Sequence, residues 1–317
     1  MPEQRSPADD RAMLALLKSV SRSFYLSARL LPPGLRRPVA VGYLLARTSD
    51  SIADAPGLAA ADRLSMLQQF DDDVQGRCPP SPIPAPAQMP EAEAKLLGAF
   101  VNCIASLEAL SREDRDDVLT VLQHITRGQK LDVERFGDAT AAGPRSLETD
   151  AQLDEYTYLV AGCVGEFWTR LGFRHVPGYS TLPQAEMMDL GRRYGMALQL
   201  INVLRDTGED LANGRRYLPH AADVQPWIAR ARDGLECGMR YSLSLRNARI
   251  RVASALPAII GARTLALLAD APRGKRAKVP RSDVRALLAR TACSFGSRER
   301  LDFEFLRATA GWDNRPR

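Results

Sequence analysis

The sequence predicts an all-α protein that folds as a single domain over residues 1–317. Apolar residues recur with helical spacing along most of the chain, and runs typical of β-strands are scarce. No repeat of fixed period and no shift in composition divides the chain. The residues are 45% hydrophobic and 26% charged, which excludes the collagen-like, disulfide-scaffold and wholly disordered classes.

Helical periodicity and loop composition together predict the order of the elements. The proline-rich segment 76–90 cannot be helical and is expected to form an exposed loop. Residues 137–149 and 218–225 are predicted to be irregular, and the basic segment 270–283 is predicted to form a flap that leads into a last helix. The other helices are predicted at 35–54, 62–74, 91–110, 112–136, 153–173, 183–211, 227–245 and 249–268.

The charge balance and the cysteines narrow the class of partner and compartment. Lys and Arg outnumber Asp and Glu by 43 to 38, an excess that suits an anionic substrate or membrane surface without requiring nucleic acid. The five cysteines form no CxxC pair, so reduced thiols in the cytoplasm are expected instead of zinc. The polar N-terminus does not resemble a secretory signal. We expect no segment with the ~20 apolar residues that cross a bilayer.

One predicted helix presents a phenol, a guanidinium and two carboxylates on a single face. In YLLARTSDSIAD, Tyr43, Arg47, Asp50 and Asp54 follow one another at i, i+4, i+7 and i+11. Two carboxylates one turn apart repel each other unless a positive charge joins them. The alternative interpretation is a solvated face on which Arg47 neutralises Asp50.

A second segment, QLINVLRDTGEDLANGRRYLP, repeats this pattern. Gln199, Asn202, Asp206 and Asp210 share one helix face, and apolar residues fill the other directions. Uncompensated carboxylates would destabilise a buried helix, so they face solvent or surround cations in a cavity between this helix and the first. Carboxylate and amide oxygens suit Mg²⁺, which commonly shares its coordination sphere with substrate phosphate. The two faces together predict a diphosphate-binding mouth in a helical bundle.

At this point the sequence resembles the squalene/phytoene synthases, which join two prenyl diphosphates head to head. The resemblance spans nearly the whole chain and rests on SRSFYLSARLLPPGLRRPVAVGYLLARTSDSIAD, YTYLVAGCVG and NVLRDTGEDLANGRRYLP. It implies the isoprenoid-synthase helical bundle around a central apolar cavity. It also implies that Mg²⁺ is held by Asp50 and Asp54 on one side and by Asn202, Asp206 and Asp210 on the other. Around the diphosphates it implies Ser21, Arg22, Ser23, Phe24, Tyr43, Arg47, Gln199 and Arg205.

The segment YTYLVAGCVG has two features with a functional interpretation. Tyr156 matches a family tyrosine near the reacting carbons, for which proton relay and cation stabilisation by the ring face are proposed. Ala161, Gly162 and Gly165 lack side-chain bulk, which leaves room either for a prenyl chain or for a neighbouring helix.

The resemblance implies that two farnesyl diphosphates condense through presqualene diphosphate to squalene. SRSF and KVPRSDVRALL are similar to squalene synthases, which quench the last cation with hydride from NADPH. Ala53 stands where many squalene synthases carry an acid, Pro280 interrupts the cationic spacing of the flap, and no GxGxxG is present. The alternative within the family is a phytoene or dehydrosqualene synthase, which loses a proton and uses no NADPH. The residues expected to contact NADPH or diphosphate are Arg22, Arg47, Arg205, Lys278 and Arg281.

Other interpretations compete with this one. Some relatives of the family are non-catalytic assembly factors of respiratory complexes, but the four clustered carboxylates argue against a retired site. A cyclase or a head-to-tail elongating enzyme would usually show DDxxD-type motifs, which DSIAD and DTGED match poorly. Asp71, Asp72 and Asp73 are interpreted as a solvated helix end without a matching partner. Peripheral membrane contact is expected because the hydrocarbon product would be insoluble in water.

Overall fold

The computed structural model describes residues 7–219, 223–270, 283, 286, 287, 290, 291, 297–310 and 312, apart from the side chains of residues 7–10, 22, 23, 26, 269 and 270. In this part of the chain helices dominate, and the only named strands are the two-residue β1 (Arg145–Ser146) and β2 (Arg215–Arg216), which pair in parallel. The all-α prediction is confirmed. The helices are α1 (Pro7–Val20), α2 (Arg22–Leu30), α3 (Pro33–Ala53), α4 (Ala60–Val74), α5 (Glu91–Gly98), α6 (Phe100–Glu108), α7 (Arg112–Phe136), α8 (Asp150–Thr157), α9 (Cys163–His175), α10 (Gln184–Ala212), α11 (Gln225–Ser244), α12 (Ala248–Asp270) and α13 (Arg298–Ala308).

Most predicted helices are confirmed, but two of them are interrupted. The predicted helix 91–110 divides into α5 and α6, since Ala99 leaves the α-helical region at φ −90° and ψ 1° and caps both helices. The predicted helix 153–173 divides into α8 and α9, which are joined by a π-helical turn at Tyr158–Gly162. Helices α1 and α2 were not predicted. Segment 76–90 contains neither helix nor strand, as expected.

Contacts within the chain group it into two compact units. The first comprises Met1–Asp138 and Arg170–His175, and the second comprises Ala139–Thr169 and Val176–Arg317. The last residues of α9 therefore belong to the first unit, whereas its beginning belongs to the second. The single domain and its central apolar cavity stay predictions.

Helix α3 forms the centre of the first unit. Leu35, Leu45 and Ile52 have no exposed surface, and the helix contacts α1, α2, α4, α5, α6 and α7. The rings of Phe70 on α4 and Phe100 on α6 lie 5.4 Å apart in the same core. The hydroxyl side chains of Thr48, Ser49 and Ser51 are buried as well, so Arg47 and Asp50 lie on the one partly exposed face of this part of α3.

A buried cluster of charges fastens the end of α9 to α7 in the first unit. Arg174 Nη1 lies 2.8 Å from Asp114 Oδ1 and its Nη2 lies 2.6 Å from Asp117 Oδ2. Arg170 Nε donates to Asp117 Oδ1 at 2.7 Å, and His175 Nε2 lies 2.7 Å from Asp114 Oδ1. Each buried carboxylate thus has cationic or imidazole partners that offset the cost of its removal from water.

The interpretation of Asp71, Asp72 and Asp73 as a solvated helix end is wrong. Asp73 is only 2% exposed, and its carboxylate accepts hydrogen bonds from the Ser81 backbone N–H at 3.1 Å and from the Ser81 hydroxyl at 3.3 Å. Arg77 forms ion pairs with both Asp71 and Asp72. These contacts tether the start of the proline-rich loop to the end of α4, which composition alone could not indicate.

Helix α10 forms the centre of the second unit. It contacts α8, α11, α12, β2 and the π-helical turn. Leu200, Ile201, Val203 and Leu204 are all buried, which confirms that the apolar directions of this helix face protein. In the same unit, a hydrogen bond joins the buried hydroxyl groups of Tyr179 and Tyr241, whose oxygens lie 2.7 Å apart.

A close helix crossing explains the small residues of YTYLVAGCVG. A Cβ on Gly165 would lie 1.9 Å from the carbonyl oxygen of Gly191 on α10, and a Cβ on Gly195 would lie 2.2 Å from the carbonyl oxygen of Ala161. Both distances are far below van der Waals contact. Of the two interpretations, the structure supports the neighbouring helix, because α10 occupies the space that Gly165 leaves.

One helix passes the length and composition test for a membrane span, contrary to expectation. Residues 248–268 of α12 have a mean hydropathy of 1.4 in their most apolar window, and 72% of that window is buried inside the protein. Such burial is typical of a core helix, and α12 packs against α10, α11 and α13. Its apolar character is therefore accounted for by packing within the second unit.

Replacing Gly165 with alanine should lower the free energy of unfolding by ~2–3 kcal/mol, because the added methyl group has to displace the Gly191 backbone. Urea denaturation followed by circular dichroism measures the effect. The matched control is Gly98→Ala at the end of α5, where a Cβ meets no atom within 4 Å. This control should be neutral or stabilising by ~0.5 kcal/mol. Equal stabilities of the two variants would contradict the close crossing.

Candidate functional site

Three of the four predicted residues of the first acidic motif lie along α3, and the fourth caps its end. Asp54 is the C-cap residue, and its backbone N–H donates to the Asp50 carbonyl oxygen at 3.0 Å. The side chain of Asp50 is 42% exposed, that of Arg47 is 30% exposed, and Asp54 is exposed. The predicted helical face therefore exists, and it reaches the surface of the first unit at its acidic end.

Arg47 is held by two carboxylates. It forms an ion pair with Asp50 one turn later, and its Nη2 donates to Glu93 Oε1 on α5 at 2.6 Å. Burial alone would lower the pKa of Arg47, but Asp50 and Glu93 outweigh it, so its pKa is raised. The guanidinium stays charged between its two acidic partners.

Arg47 does not neutralise Asp50 completely. Removal from bulk water and the neighbouring Asp54 carboxylate raise the pKa of Asp50 to about 6, against the opposing effect of Arg47. Glu93 adds a smaller repulsion. The alternative interpretation, a solvated face on which Arg47 neutralises Asp50, is therefore only partly supported. Arg47 does pair with Asp50, but Asp54 and Glu93 add negative charge that one guanidinium does not offset.

Ser21, Phe24 and Tyr43 form a second contact group beside this motif. Ser21 Oγ caps α2 by accepting a hydrogen bond from the Phe24 backbone N–H at 3.3 Å. The rings of Phe24 and Tyr43 stack with their centroids 4.0 Å apart and their planes at 11°. Burial raises the pKa of Tyr43, although a hydrogen bond with Ser21 and the charge of Arg47 act the other way. The structure thus brings together three residues that only the family resemblance had joined.

Four predicted residues cannot be placed. The backbone of Arg22 and Ser23 belongs to α2, but their side chains lie outside the described residues. Lys278 and Arg281 of the predicted flap also lie outside them. Their contacts with diphosphate or NADPH stay predictions.

In the second unit, side-chain amides connect α10 to Tyr156. Gln199 Nε2 donates to the Tyr156 phenol oxygen at 3.2 Å, and Asn202 Nδ2 donates to Gln199 Oε1 at 3.2 Å. The carbonyl oxygen of Asn202 is the only atom of its amide with the chemistry of a metal ligand.

Arg205 pairs with Asp206 on the exposed side of α10. Its Nε donates to Asp206 Oδ1 at 2.9 Å, and its Nη2 contacts Asp206 Oδ2, so the pair is bidentate. Hydrogen bonding to Asp206 raises the pKa of Arg205, with further contributions from Glu209 and Asp210. The second motif therefore repeats the first, because its leading aspartate is paired with an arginine while another carboxylate lies one turn further along.

Asp210 lines a pocket of about 300 Å³ in the second unit. Arg215 and Arg216 of β2 contribute to the same pocket, together with Thr207 and Tyr217. An acidic residue, two arginines and a phenol thus border one concave surface at the end of α10. Such a set of donors and acceptors can bind a polar, charged group.

Tyr156 and Tyr217 stack on each other beside α10, with ring centroids 5.0 Å apart and planes at 27°. The π-helical turn begins two residues after Tyr156, at Tyr158. Turns of this kind are frequent at functional sites. The predicted tyrosine thus belongs to an aromatic pair in which both rings are half-buried or buried.

Sequence reasoning missed two residues of this arrangement. Tyr217 lies in GRRYLP, and neither spacing nor the family resemblance assigned a function to this tyrosine. Glu93 follows the proline-rich loop in EAEAK, where its spacing gives no sign of a contact with Arg47. Only the packing of α5 against α3 reveals that contact.

The oxygen donors of each unit fit a hard divalent cation. Across the described part of the chain, no three His, Cys, Asp or Glu side chains are grouped as a complete metal site. The first unit offers Asp50 and Asp54, and the second offers Asn202, Asp206 and Asp210. Mg²⁺ usually takes only one or two protein carboxylates and completes its sphere with water and phosphate. Burial and, to a smaller extent, the Asp54 carboxylate raise the pKa of Asp50, and a bound cation would favour its charged form.

Comparison with known proteins connects this geometry to a family. Residues 17–223 match the squalene/phytoene synthase family. A presqualene diphosphate synthase of Rhodopseudomonas palustris is 32% identical over 201 residues, which cover 63% of this chain and 59% of that protein. A 15-cis-phytoene synthase of Synechocystis is 29% identical over 212 residues, which cover 63% of this chain and 52% of that protein. The chain thus spans less than two thirds of the length of these relatives.

A solved structure shares the fold. The complex of TcSQS with the ligand BPH1237 matches 98% of this chain and 94% of its own, with a TM-score of 0.74 and 21% sequence identity. The helical architecture that the resemblance implied is therefore confirmed at the level of the fold.

Replacing Asp54 with asparagine should lower the pKa of Asp50 from about 6, since it removes a repelling carboxylate. In metal-free protein, a pH titration of the Asp50 carboxyl ¹³C resonance measures the shift. Because a free aspartate titrates near pH ~3.9, the folded protein holds an extra proton between about pH 4 and 6. Its free energy of unfolding should fall as the pH rises through that window, and the variant should flatten this fall.

The control for this titration is Glu91→Gln, which changes a carboxylate that is 82% exposed and pairs with Lys95. It should leave the pKa of Asp50 unchanged. An unaltered pKa in Asp54→Asn would contradict the repulsion.

Proposed function

Because the chain belongs to the squalene/phytoene synthase family, we propose that it condenses two farnesyl diphosphates head to head. In the proposed reaction the first condensation joins C1 of one farnesyl unit to the double bond of the other, and release of one diphosphate and one proton gives the cyclopropane of presqualene diphosphate. A second ionisation releases the other diphosphate, and hydride from NADPH quenches the cation to give squalene. Diphosphate ionisation of this kind needs positive charge at the leaving group and protection of the cation from water.

The observation that carries this proposal is the matched pair of acidic helix segments. In each, an arginine pairs with the leading aspartate, as Arg47 does with Asp50 and Arg205 with Asp206. In each, a further aspartate lies one helical turn later. The repulsion between such extra carboxylates has no compensating benefit on a solvated face. In a site for a cation and a diphosphate, the same carboxylates would bind the cation.

The residues that would hold Mg²⁺ are Asp50, Asp54, Asn202, Asp206 and Asp210. When bound, Mg²⁺ would supply electrostatic stabilisation of the charge that develops on the departing diphosphate. Their oxygens are the ligand type that this cation prefers.

Arginine and hydroxyl donors would bind the diphosphate itself. Arg47 and Arg205 are half-buried beside the acidic residues, and their raised pKa values favour the charged form that would bind a diphosphate. Ser21 and Tyr43 contribute hydroxyl groups next to Arg47. Preorganised donors of this kind stabilise negative charge without first having to reorganise.

Tyr156 would act on the prenyl cations. Its ring is held by stacking on Tyr217, and its phenol oxygen is bound by Gln199. The face of an aromatic ring attracts a nearby cation through its quadrupole. A ring with a fixed orientation can therefore stabilise positive charge at the reacting carbons.

The choice of squalene as product rests on SRSF and KVPRSDVRALL, whose Arg22, Lys278 and Arg281 would contact NADPH. The alternatives are a phytoene or dehydrosqualene synthase, in which proton loss replaces hydride transfer, and an enzyme that stops at presqualene diphosphate. The 15-cis-phytoene synthase of Synechocystis supports the first alternative, and the presqualene diphosphate synthase of Rhodopseudomonas palustris supports the second. Peripheral membrane contact stays an expectation, since each hydrocarbon product is insoluble in water.

Purified protein incubated with farnesyl diphosphate and Mg²⁺ should form presqualene diphosphate without NADPH and squalene with it. Mass spectrometry of the extracted products identifies the hydrocarbon. A proton-loss polyene with or without NADPH would move the product to the alternative branch. No release of diphosphate from a well-folded sample would favour a non-catalytic assembly role.

Asp50→Asn and Asp206→Asn should each reduce turnover by ~10²-fold or more, because each removes a carboxylate that would hold Mg²⁺ against the departing diphosphate. Circular dichroism should show unchanged helical content in both variants. The matched control is Asp116→Asn on α7, whose side chain is 60% exposed and pairs only loosely with Arg112, at 3.9 Å. Turnover above a tenth of the wild-type value in either variant would contradict the role of its motif.

A further inference from the structure

Among the residues that the structure describes, Glu93 is the ion-pair partner of Arg47 that lies outside the acidic motif. Its Oε1 accepts a hydrogen bond from Arg47 Nη2 at 2.6 Å, and the Glu93 side chain is 23% exposed. The residue lies in the first turn of α5, where the positive end of the helix dipole favours a carboxylate. Both the position and the partner of Glu93 are therefore defined.

The docking of α5 does not depend on Glu93. Leu96 and Leu97 of the same helix have no exposed surface and anchor it in the core of the first unit. Both side chains of the Arg47–Glu93 pair retain contact with solvent, at 30% and 23% exposure, which weakens its contribution to stability. The Arg47–Glu93 ion pair thus adds little to the stability of the first unit. It also places a third carboxylate near Asp50, which increases the electrostatic repulsion on Asp50.

The net charge around Arg47 explains how its contact with Glu93 could assist the reaction. Asp50, Asp54 and Glu93 carry three negative charges against the single positive charge of Arg47, so one divalent cation would bring the group to neutrality. A carboxylate that binds a metal gives up part of its attraction for a neighbouring guanidinium. Without a second partner, Arg47 would then be free to change its rotamer.

We propose that Glu93 is a positioning residue, which holds the guanidinium of Arg47 from α5 so that its orientation persists when Asp50 engages a cation and the substrate diphosphate. Arg47 Nε is buried and makes no hydrogen bond with any residue that the structure describes. The guanidinium is thus fixed at Nη1 and Nη2, and Glu93 supplies the partner that is independent of the motif. This inference rests on the proposed function.

The test compares kcat and KM for farnesyl diphosphate in Glu93→Ala and Glu93→Gln. Loss of the acceptor should lower kcat about tenfold in Glu93→Ala with less than a threefold change in KM, since a misplaced catalytic charge mainly affects the transition state. Glu93→Gln keeps an acceptor oxygen at the same reach, so its kcat should stay within about threefold of the wild-type value. The melting temperature of each variant should stay within about 3 °C of the wild-type value.

Two controls separate positioning from a structural role. Glu91→Ala changes an exposed carboxylate on the same helix turn and should leave kcat unchanged. In an Arg47→Ala background, Glu93→Ala should cause less than about a twofold further loss, because the residue it positions is gone. Wild-type kcat in Glu93→Ala, a full additional loss in the Arg47→Ala background, or a loss in Glu93→Gln as large as in Glu93→Ala would each overturn the proposal.

Failure of the proposed function is recognised separately. No turnover by the wild-type protein would contradict that function, and calorimetric titration with inorganic pyrophosphate and Mg²⁺ would then test Glu93. Binding weakened about fivefold in Glu93→Ala, but unchanged in Glu91→Ala, would support positioning. Equal or tighter binding in Glu93→Ala would overturn it.

Discussion

Two carboxylates one helical turn apart repel each other, and both acidic motifs of this protein have to carry such a pair on a helix that is packed on its other sides. Each motif places an arginine against its leading aspartate, Arg47 against Asp50 and Arg205 against Asp206. One guanidinium offsets one carboxylate only. Burial and the nearby Asp54 carboxylate together raise the pKa of Asp50 despite the Arg47 charge.

Rigid packing supports these charges in each unit. The apolar directions of α3 are taken up by the surrounding helices of the first unit, which leaves a single stripe for Tyr43, Arg47 and Asp50. In the second unit, Gly165 and Gly191 bring two helix backbones into contact. That contact lies directly after the π-helical turn that follows Tyr156. Tyr156 thus precedes a stretch of backbone that packs tightly against α10.

Periodic patterns in the sequence predicted most helices, because a core-facing stripe repeats every three to four residues whatever the partner is. The same patterns failed where a local event interrupts a helix. Neither the break at Ala99 nor the π-helical turn at Tyr158–Gly162 is marked by a proline in the sequence. Asp73 was misjudged for a related reason, since its partner Ser81 lies in an irregular loop that has no period to follow.

The amino-acid order by itself determined which residues share a helix face, because helical geometry alone relates Tyr43 to Asp50 and Gln199 to Asp206. It also determined the donor chemistry, since oxygen ligands without His or Cys suit Mg²⁺ whatever the fold. Tertiary structure decided the contacts between segments that are far apart in the chain. Glu93 reaches Arg47, and Tyr217 stacks on Tyr156, only because separate elements pack together. No spacing rule in a one-dimensional sequence can encode such a meeting, which depends on how whole surfaces fit.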